Sequence, residues 1–372
     1  MDLFSTKKVA DFPFAARDIV EVKKTDTVDA AFRQLVKHKV LSAPVWDPSQ
    51  KKYLGFFDIT DALALIYSVD LLISAIPDSM LKKSTALRLA TSGSACPDCT
   101  ELLVASIFEN EEEDQDRVEA GAAWHPVTED TQMKEVMTLL ATSTRRVPVI
   151  GPDGRVKKII SQSHVTHVLD GLLKEMEGKK QALPEVFSRT PKNSGGFGLR
   201  QVLTVDSEAQ QAKDAFRLII ENGVSAIGVL DEEGKLLSSI TTKDIRLFGS
   251  MEEAALQRLN AEQTKRTDGE QQVSITDEAA KVRAGGRESL ALMDLNCGDF
   301  VSMVELTATN KEGSTRAPAV IVHVDTPIRK IIAKLALTKK HRAFICDESR
   351  TPLGVVSVSD IAKLLVTGDK SE

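Results

Sequence analysis

One short pattern of residues occurs four times along this chain of 372 residues. Its clearest copy is 353–366, where an apolar run containing Gly354 leads into Ser-x-Ser-Asp and then into apolar residues at helical spacing. Such a sequence is typical of a buried strand that leads into a capped helix. The other copies lie at 53–61, 158–164 and 237–244. A unit of this size buries its own core poorly, so the copies are predicted to pack on one another.

An amphipathic helix is predicted before each copy, because apolar residues recur at the i, i+3, i+4, i+7 spacing of one helix face. These residues are Val28/Ala31/Phe32/Leu35, Met133/Val136/Met137/Leu140, Ala212/Ala215/Phe216/Ile219 and Ile328/Ile331/Ile332/Leu335. From the first of them to the last motif residue (Asp61, His164, Asp244 or Asp360) the separation is 33, 31, 32 and 32 residues. This register predicts strand, helix, strand, turn, strand and helix in each unit, which is an α/β (α+β) fold class.

The repeat divides the chain into four units. The predicted units are 19–67, 122–173, 201–248 and 299–367. Residues 71–121 and 250–290 do not repeat and are predicted to be insertions. The Gly-, Ser- and Lys-rich stretch 178–196 is predicted to link the first two units to the last two. The units are therefore expected to form two tandem pairs.

Charge and composition argue against several classes of protein. The net charge of −6 does not suit a protein that coats nucleic acid. No apolar stretch approaches the ~20 residues that a membrane-spanning helix needs, and no signal-peptide pattern opens the chain. Four cysteines in 372 residues do not make a disulfide framework. We therefore expect a protein of the cytoplasm or nucleus without nucleic-acid or membrane partners, in which any anion is bound by a local basic cluster.

Residues around the strands resemble a known family. They are Ser-Ala-Pro-Val-Trp-Asp (42–47), Ile59-Thr60-Asp61, Arg-Arg-Val-Pro-Val-Ile (145–150), Val-Ser-Ala (224–226), His341-Arg342 and 356–361. The four units resemble cystathionine-β-synthase (CBS) domains arranged as two tandem pairs (Bateman modules), and in particular the regulatory gamma subunit of AMP-activated protein kinase and its sucrose-non-fermenting relatives. The resemblance implies kinase alpha and beta subunits as partners in a heterotrimer, AMP, ADP or ATP as a ligand, and no catalytic cofactor.

In that family the aspartate of a Ser/Thr-x-x-Asp motif binds the ribose of an adenine nucleotide. Asp61, Asp244 and Asp360 hold that position here and His164 replaces it in the second unit, so at most three ribose sites are expected. An ionised carboxylate offers two oxygens to the two ribose hydroxyls, and each charge-assisted hydrogen bond contributes about 1.5–3 kcal/mol. The neighbouring hydroxyl-bearing residues expected to contact the nucleotide or cap the helix are Thr60, Thr241, Thr242, Ser357 and Ser359.

Basic residues just before the second strand are expected to bind the phosphates. Arg145, Arg146, His341 and Arg342 fill this position in the second and fourth units, and the planar fork of Arg can bind phosphate through two hydrogen bonds. Three positions where the family has a basic residue are occupied by Leu41, Ser163 and Gly223. The sequence therefore leaves open which sites are filled and which of the three nucleotides is preferred.

Plainer interpretations stand beside these. Each aspartate also suits a simple helix cap, and the basic residues also suit an ordinary charged surface. Cys96 and Cys99 have zinc-ribbon spacing but no second Cys or His pair beside them. No catalytic constellation occurs, which favours a sensor over an enzyme. The functions left are an energy-sensing regulatory subunit of an AMP-activated-type serine/threonine kinase, a stand-alone CBS protein that binds adenosyl ligands and regulates another partner or acts as a scaffold, or a repeat protein whose clefts bind nothing.

Overall fold

The computed structural model describes residues 4, 7–12, 14, 18–63, 104–108, 124–142, 144–247, 295–309 and 319–367. The unrepeated stretches 71–121 and 250–290 fall outside these residues, except for a short 3-10 helix at Val104–Phe108. Cys96 and Cys99 also lie outside them. Within the described part of the chain, no helix is both long and apolar enough to span a bilayer.

The four units repeat one order of elements. The first contains β1 (Val22–Lys23), α1 (Val28–Lys37), β2 (Ser42–Asp47) and β3 (Lys52–Asp58). The second contains α2 (Met133–Thr142), β4 (Arg146–Ile150), β5 (Val156–Ser161) and α3 (Gln162–Gly178). The third contains β6 (Thr204–Asp206), α4 (Ala212–Glu221), β7 (Ala226–Leu230), β8 (Leu236–Thr241) and a 3-10 helix (Thr242–Ile245). After α5 (Cys297–Thr309), the fourth contains β9 (Ile321–His323), α6 (Ile328–Thr338), β10 (Arg342–Cys346), β11 (Pro352–Ser357) and α7 (Val358–Thr367).

The first helix of each unit buries the face that its spacing predicts. In α1 the buried residues are Val28, Ala31, Phe32 and Leu35, and the helix begins where the Thr27 hydroxyl accepts the Ala30 N–H at 3.2 Å. The corresponding residues of α2, α4 and α6 are also buried. An apolar stripe at helical spacing therefore decides the orientation of each helix on its sheet.

Each sheet joins a parallel and an antiparallel pair of strands. β2, β7 and β10 are the central strands of three-stranded sheets, pairing in parallel with the first strand and antiparallel with the last strand of their units. In the second unit the described sheet has only β4 and β5, and a single parallel bridge between Val127 and Val149 stands where the first strand would be. The predicted α/β fold class is confirmed.

Helices pack across the tandem pairs, and sheets pack within them. The first and third units share one core, in which the rings of Phe216 and Phe300 are 5.6 Å apart, and α5 lies in this core against α4 and β8. The second and fourth units share another core, where α7 packs on α2 and α3. Each unit thus buries one surface against its tandem partner and another against a unit of the other pair, as its small size requires.

Candidate functional site

The last residue of the motif caps the helix start in every unit. Asp61 Oδ2 accepts the Asp58 N–H at 2.7 Å, and Asp244 Oδ2 and Asp360 Oδ2 accept the N–H of Thr241 and Ser357 at the same distance. The hydroxyls of Thr241 and Ser357 donate to the same oxygens. In the second unit His164 Nδ1 accepts the Ser161 N–H at 3.3 Å. The helix-cap interpretation of these residues is therefore correct, and it engages one of the two carboxylate oxygens.

Arg146 pairs with an acidic residue of the first unit. Its Nη1 lies 2.5 Å from Asp58 Oδ2, while Thr60 donates its N–H and its hydroxyl to Asp58 Oδ1 at 2.9 and 2.7 Å. Burial alone would raise the pKa of Asp58, but the Arg146 charge and the Thr60 hydrogen bonds outweigh it and hold the pKa below its usual range. The pair joins the first unit to the second, and Asp58 is a site residue that the sequence analysis missed.

Arg145 and Arg342 reach the backbone of the third unit. Arg145 Nη2 donates to the Gly223 carbonyl at 3.3 Å, and Arg342 donates to the Ala226 carbonyl at 3.1 Å and to the Ser225 hydroxyl. Burial, followed by the nearby Arg145 and Arg200 charges, lowers the pKa of Arg342 to about 10. The Gly223 backbone carbonyl thus accepts a hydrogen bond from a cation of the second unit.

Lys243 and His341 bring the third and fourth units together. Lys243 Nζ lies 3.2 Å from His341 Nε2. Burial and then the Arg246 and Lys340 charges lower the pKa of Lys243 to about 8, and burial and then the Lys243 charge lower the pKa of His341 to about 3. His341 is therefore neutral at pH 7. Lys243 lies inside the repeated motif, but the other three copies have Thr60, Ser163 and Ser359 at this position, so the repeat gave no signal for a basic residue here.

We call the basic residues that meet here the central cation cluster. Its members are Arg145, Arg146, Lys243, Arg246, His341 and Arg342. Arg246 donates to the Lys39 carbonyl of the first unit at 3.3 Å, so the contacts of the cluster reach all four units. Burial and the charges of neighbouring cations lower the pKa values of Lys243, His341 and Arg342. Partly buried cations that repel one another form a site that is stabilised by an anion.

The fourth-unit motif makes two further contacts that the sequence did not indicate. Arg200, just after the linker, donates to both carboxylate oxygens of Asp360 at 2.9 Å. The Ser359 hydroxyl donates to Gln162 Oε1 of the second unit at 3.0 Å. The structure therefore brings the predicted basic residues, the three aspartates and the motif hydroxyls to one region, while their role in binding a nucleotide stays a prediction. Among the described residues, no group of His, Cys, Asp and Glu is arranged to hold a metal ion.

Comparison with known families agrees with this architecture. The family model of the CBS domain matches four segments, at residues 9–68, 125–171, 198–249 and 315–367. The chain belongs to the CBS-domain family, as the sequence motifs predict. It is a four-repeat member with α/β units.

Several known proteins are similar to the chain over most of its length. Human 5'-AMP-activated protein kinase subunit gamma-3 is 23% identical over 354 residues, which cover 94% of this chain and 55% of the relative. Protein SDS23 of Phaeosphaeria nodorum is 22% identical over 357 residues, which cover 90% and 58%, respectively. The chain thus spans little more than half the length of these curated relatives. The crystal structure of protein MJ1225 from Methanocaldococcus jannaschii superposes with a TM-score of 0.58 over 95% of this chain and 98% of that one at 13% identity, and this likeness shows the fold.

Proposed function

We propose that this protein is a non-catalytic regulatory subunit of an AMP-activated-type serine/threonine kinase, and that it binds adenine nucleotides where its four units meet. The observation that supports this most strongly is the central cation cluster beside three motif aspartates. Guanidinium and ammonium groups form charge-assisted hydrogen bonds to phosphate, and a carboxylate is a suitable acceptor for ribose hydroxyls. The likeness to the gamma-3 kinase subunit supports the assignment to a kinase.

The proposed ligand lies between units. Each bound nucleotide has its ribose on one of Asp61, Asp244 and Asp360 and its phosphates at the central cation cluster. His341, although neutral, carries one ring N–H that can donate to a phosphate oxygen. Because the cluster contains residues of three units and contacts the fourth, one bound phosphate group reduces the repulsion among cations that come from different units.

Regulation follows from this position. A nucleotide that neutralises the cluster favours the arrangement in which the four units are close together, and disfavours any arrangement that separates the cations. It shifts the population of a kinase-competent complex only to the extent that it binds one arrangement more tightly. AMP, ADP and ATP differ in phosphate charge, so the same cluster can distinguish them.

Calorimetric titration of the full chain with AMP, ADP and ATP tests the binding site. We expect heat with at least one nucleotide and a rise in melting temperature, since a ligand at 100 times its dissociation constant stabilises the native state by about 2.7 kcal/mol. Lys243→Gln should weaken binding at least tenfold. Lys235→Gln is the matched control, because Lys235 lies in an exposed turn of the same unit and pairs with Glu233. Equal binding by both variants, or no heat with any nucleotide, would contradict the site.

A second function is favoured by a specific observation. The likeness to the fungal Protein SDS23 is as extensive as the likeness to the kinase subunit, so a CBS protein that binds adenosyl ligands and regulates a different partner, or serves as a scaffold, is the alternative. Co-purification of the tagged chain with kinase alpha and beta subunits distinguishes the two. Nucleotide binding without those subunits would favour the alternative.

A further inference from the structure

Residues 197–200, just after the linker between the two pairs, lie directly against the edge strand of the fourth unit. The Val355 N–H donates to the Gly198 carbonyl at 2.8 Å. Gly198 has φ +75°, and a Cβ at this position would collide with the Val356 side chain, while a Cβ on Gly354 would collide with the Gly198 carbonyl oxygen. Two glycines therefore permit a close approach of two backbones that side chains would prevent. This contact fixes the position of Arg200, which follows two residues later.

Arg200 binds the Asp360 carboxylate, which is the group that the proposed function assigns to ribose. Its Nη1 donates to Asp360 Oδ1 and its Nη2 to Asp360 Oδ2, each at 2.9 Å. Oδ2 also accepts the N–H and the hydroxyl of Ser357, both at 2.7 Å. A carboxylate has about four acceptor positions in all. Because Oδ2 already carries three donors and Oδ1 carries the guanidinium, a ribose diol cannot bind Asp360 in this arrangement.

We infer that Arg200 is a built-in competitor of the ribose at Asp360, so that the fourth-unit site accepts an adenine nucleotide only after the guanidinium leaves. This inference rests on the proposed function, since it concerns regulation of the same site. The apparent affinity of such a site is its intrinsic affinity reduced by the fraction of molecules in which the site is open. The fourth-unit site is therefore weaker while Arg200 is in place than it would be with the guanidinium displaced.

The exposure of the two partners makes release of Arg200 feasible. The side chain of Arg200 is 51% exposed, whereas that of Asp360 is 15% exposed. The guanidinium is already half hydrated and can swing into solvent, but the carboxylate would be left buried and needs new donors. The ribose hydroxyls provide those donors. Arg200 also lowers the pKa of Arg342, after burial and Arg145, so its departure reduces repulsion at a cation proposed to bind phosphate.

A titration of full-length variants with AMP tests this competition. We expect Arg200→Gln to bind AMP at one site at least tenfold more tightly than the wild type, although loss of a positive charge by itself would weaken the binding of an anion. The gain should be absent with 2′,3′-dideoxy-AMP, which lacks both ribose hydroxyls. It should also be absent in the double variant Arg200→Gln/Asp360→Asn, which keeps an oxygen for the helix cap. Arg217→Gln is the matched control, because Arg217 is 46% exposed and pairs with Asp214 on its own helix.

The other outcomes are distinct from one another. Weaker AMP binding by Arg200→Gln would overturn the competition and assign Arg200 to phosphate binding. Unchanged AMP binding would overturn it and leave Arg200 with a structural role, which a lower melting temperature would then reveal. If the wild type binds AMP in either case, the proposed function survives. If neither the wild type nor any variant binds AMP, the proposed function itself fails.

Discussion

The two tandem pairs have the same topology but are joined by different chemistry. In the first pair the units meet through aromatic rings: Trp46 and Tyr53 lie 4.8 Å apart on the first-unit sheet, and Tyr53 stacks on Trp124 of the second unit at 5.2 Å. The Arg155 guanidinium of the second unit lies 3.9 Å above the Trp46 ring and donates to Glu21 of the first unit at 2.7 Å. This interface depends on a charge as well as on apolar contact.

The second pair uses buried apolar side chains and backbone contacts. Its sheets meet at Leu236, Phe344 and Cys346, which are almost completely buried. Arg350 lies in the turn between the last two strands of its unit, as Arg155 does, but its guanidinium donates to the neutral Leu236 carbonyl at 2.9 Å. In this pair Gly198, just after the linker, also packs on the edge strand at Gly354.

This difference shows what the repeat determines and what it leaves free. The repeat fixes where strands and helices begin, and therefore which side chains can reach the neighbouring unit. Residues that do not repeat then decide whether the contact is charged or neutral, rigid or adaptable. The contact between Gly198 and the edge strand also brings Arg200 to Asp360. The packing of the second pair and its proposed nucleotide site therefore depend on the same backbone contact.

The largest expected effect comes from breaking the backbone contact of the second pair. Gly354→Ala should destabilise the protein by about 3 kcal/mol, the upper part of the range for overpacking, because the new Cβ meets the Gly198 backbone and not a flexible side chain. Gly171→Ala, in an exposed turn of α3 with open space around it, should instead stabilise by about 0.5–1 kcal/mol. Urea unfolding followed by circular dichroism measures both.

Tryptophan fluorescence makes this experiment specific to one pair. The chain has two tryptophans, and both Trp46 and Trp124 lie in the first-pair interface. The native emission of Gly354→Ala should therefore equal that of the wild type although its stability is lower. A shifted native emission would show that the interfaces within the two pairs are not independent of each other.

The next largest effect is a pH dependence of AMP affinity, and it comes from the cations that each pair contributes to the central cation cluster. Arg146 of the first pair is matched by Asp58, whereas Lys243 of the second pair lies against His341, and its pKa is lowered to about 8. A phosphate binds charged Lys243, so binding near pH 8 should take up a proton. Affinity for AMP should fall about tenfold from pH 7 to pH 9, which corresponds to about 1.4 kcal/mol.

Calorimetry in two buffers of different ionisation enthalpy measures that proton uptake. His341, with its pKa at about 3, is neutral throughout this range and adds no pH dependence of its own. Lys243→Gln should bind AMP with an affinity that is almost constant from pH 7 to pH 9. A wild-type affinity that does not change over the same range would contradict the role of Lys243.

Local features of the fold could be predicted from the sequence, because short-range rules fix them. The buried face of α1 follows from the spacing of Val28, Ala31, Phe32 and Leu35, and the motif residues cap helices as their hydroxyl and carboxylate groups favour. The sharing of cores between the first and third units, and between the second and fourth, could not be predicted. That arrangement depends on how whole units fit together, which no local pattern encodes.

The candidate site was also predictable only where its residues follow the repeat. Arg145, Arg146, His341 and Arg342 were found because they recur at one position of the repeat. Asp58, Arg200, Lys243 and Arg246 were missed because their partners lie far away along the chain. At Gly223, where a basic residue was expected, the Arg145 guanidinium of the second unit donates to the backbone carbonyl at 3.3 Å, so a cation reaches this place from another unit.

The smallest expected effect is a difference in salt dependence between the interfaces within the first and the second pair. Arg155→Met keeps most of the aliphatic stem but removes an ion pair and a cation–π contact, and should cost about 1–2 kcal/mol at low salt. Arg350→Met removes a hydrogen bond to a neutral carbonyl and should cost about 1 kcal/mol. At 1 M salt the Debye length falls to about 3 Å, so the loss for Arg155→Met should decrease by roughly half while the loss for Arg350→Met stays the same. Urea unfolding measures both losses of stability. Equal salt dependence of the two losses would contradict the distinction between a charged and a neutral interface, because the Glu21 carboxylate would then contribute no more than a carbonyl.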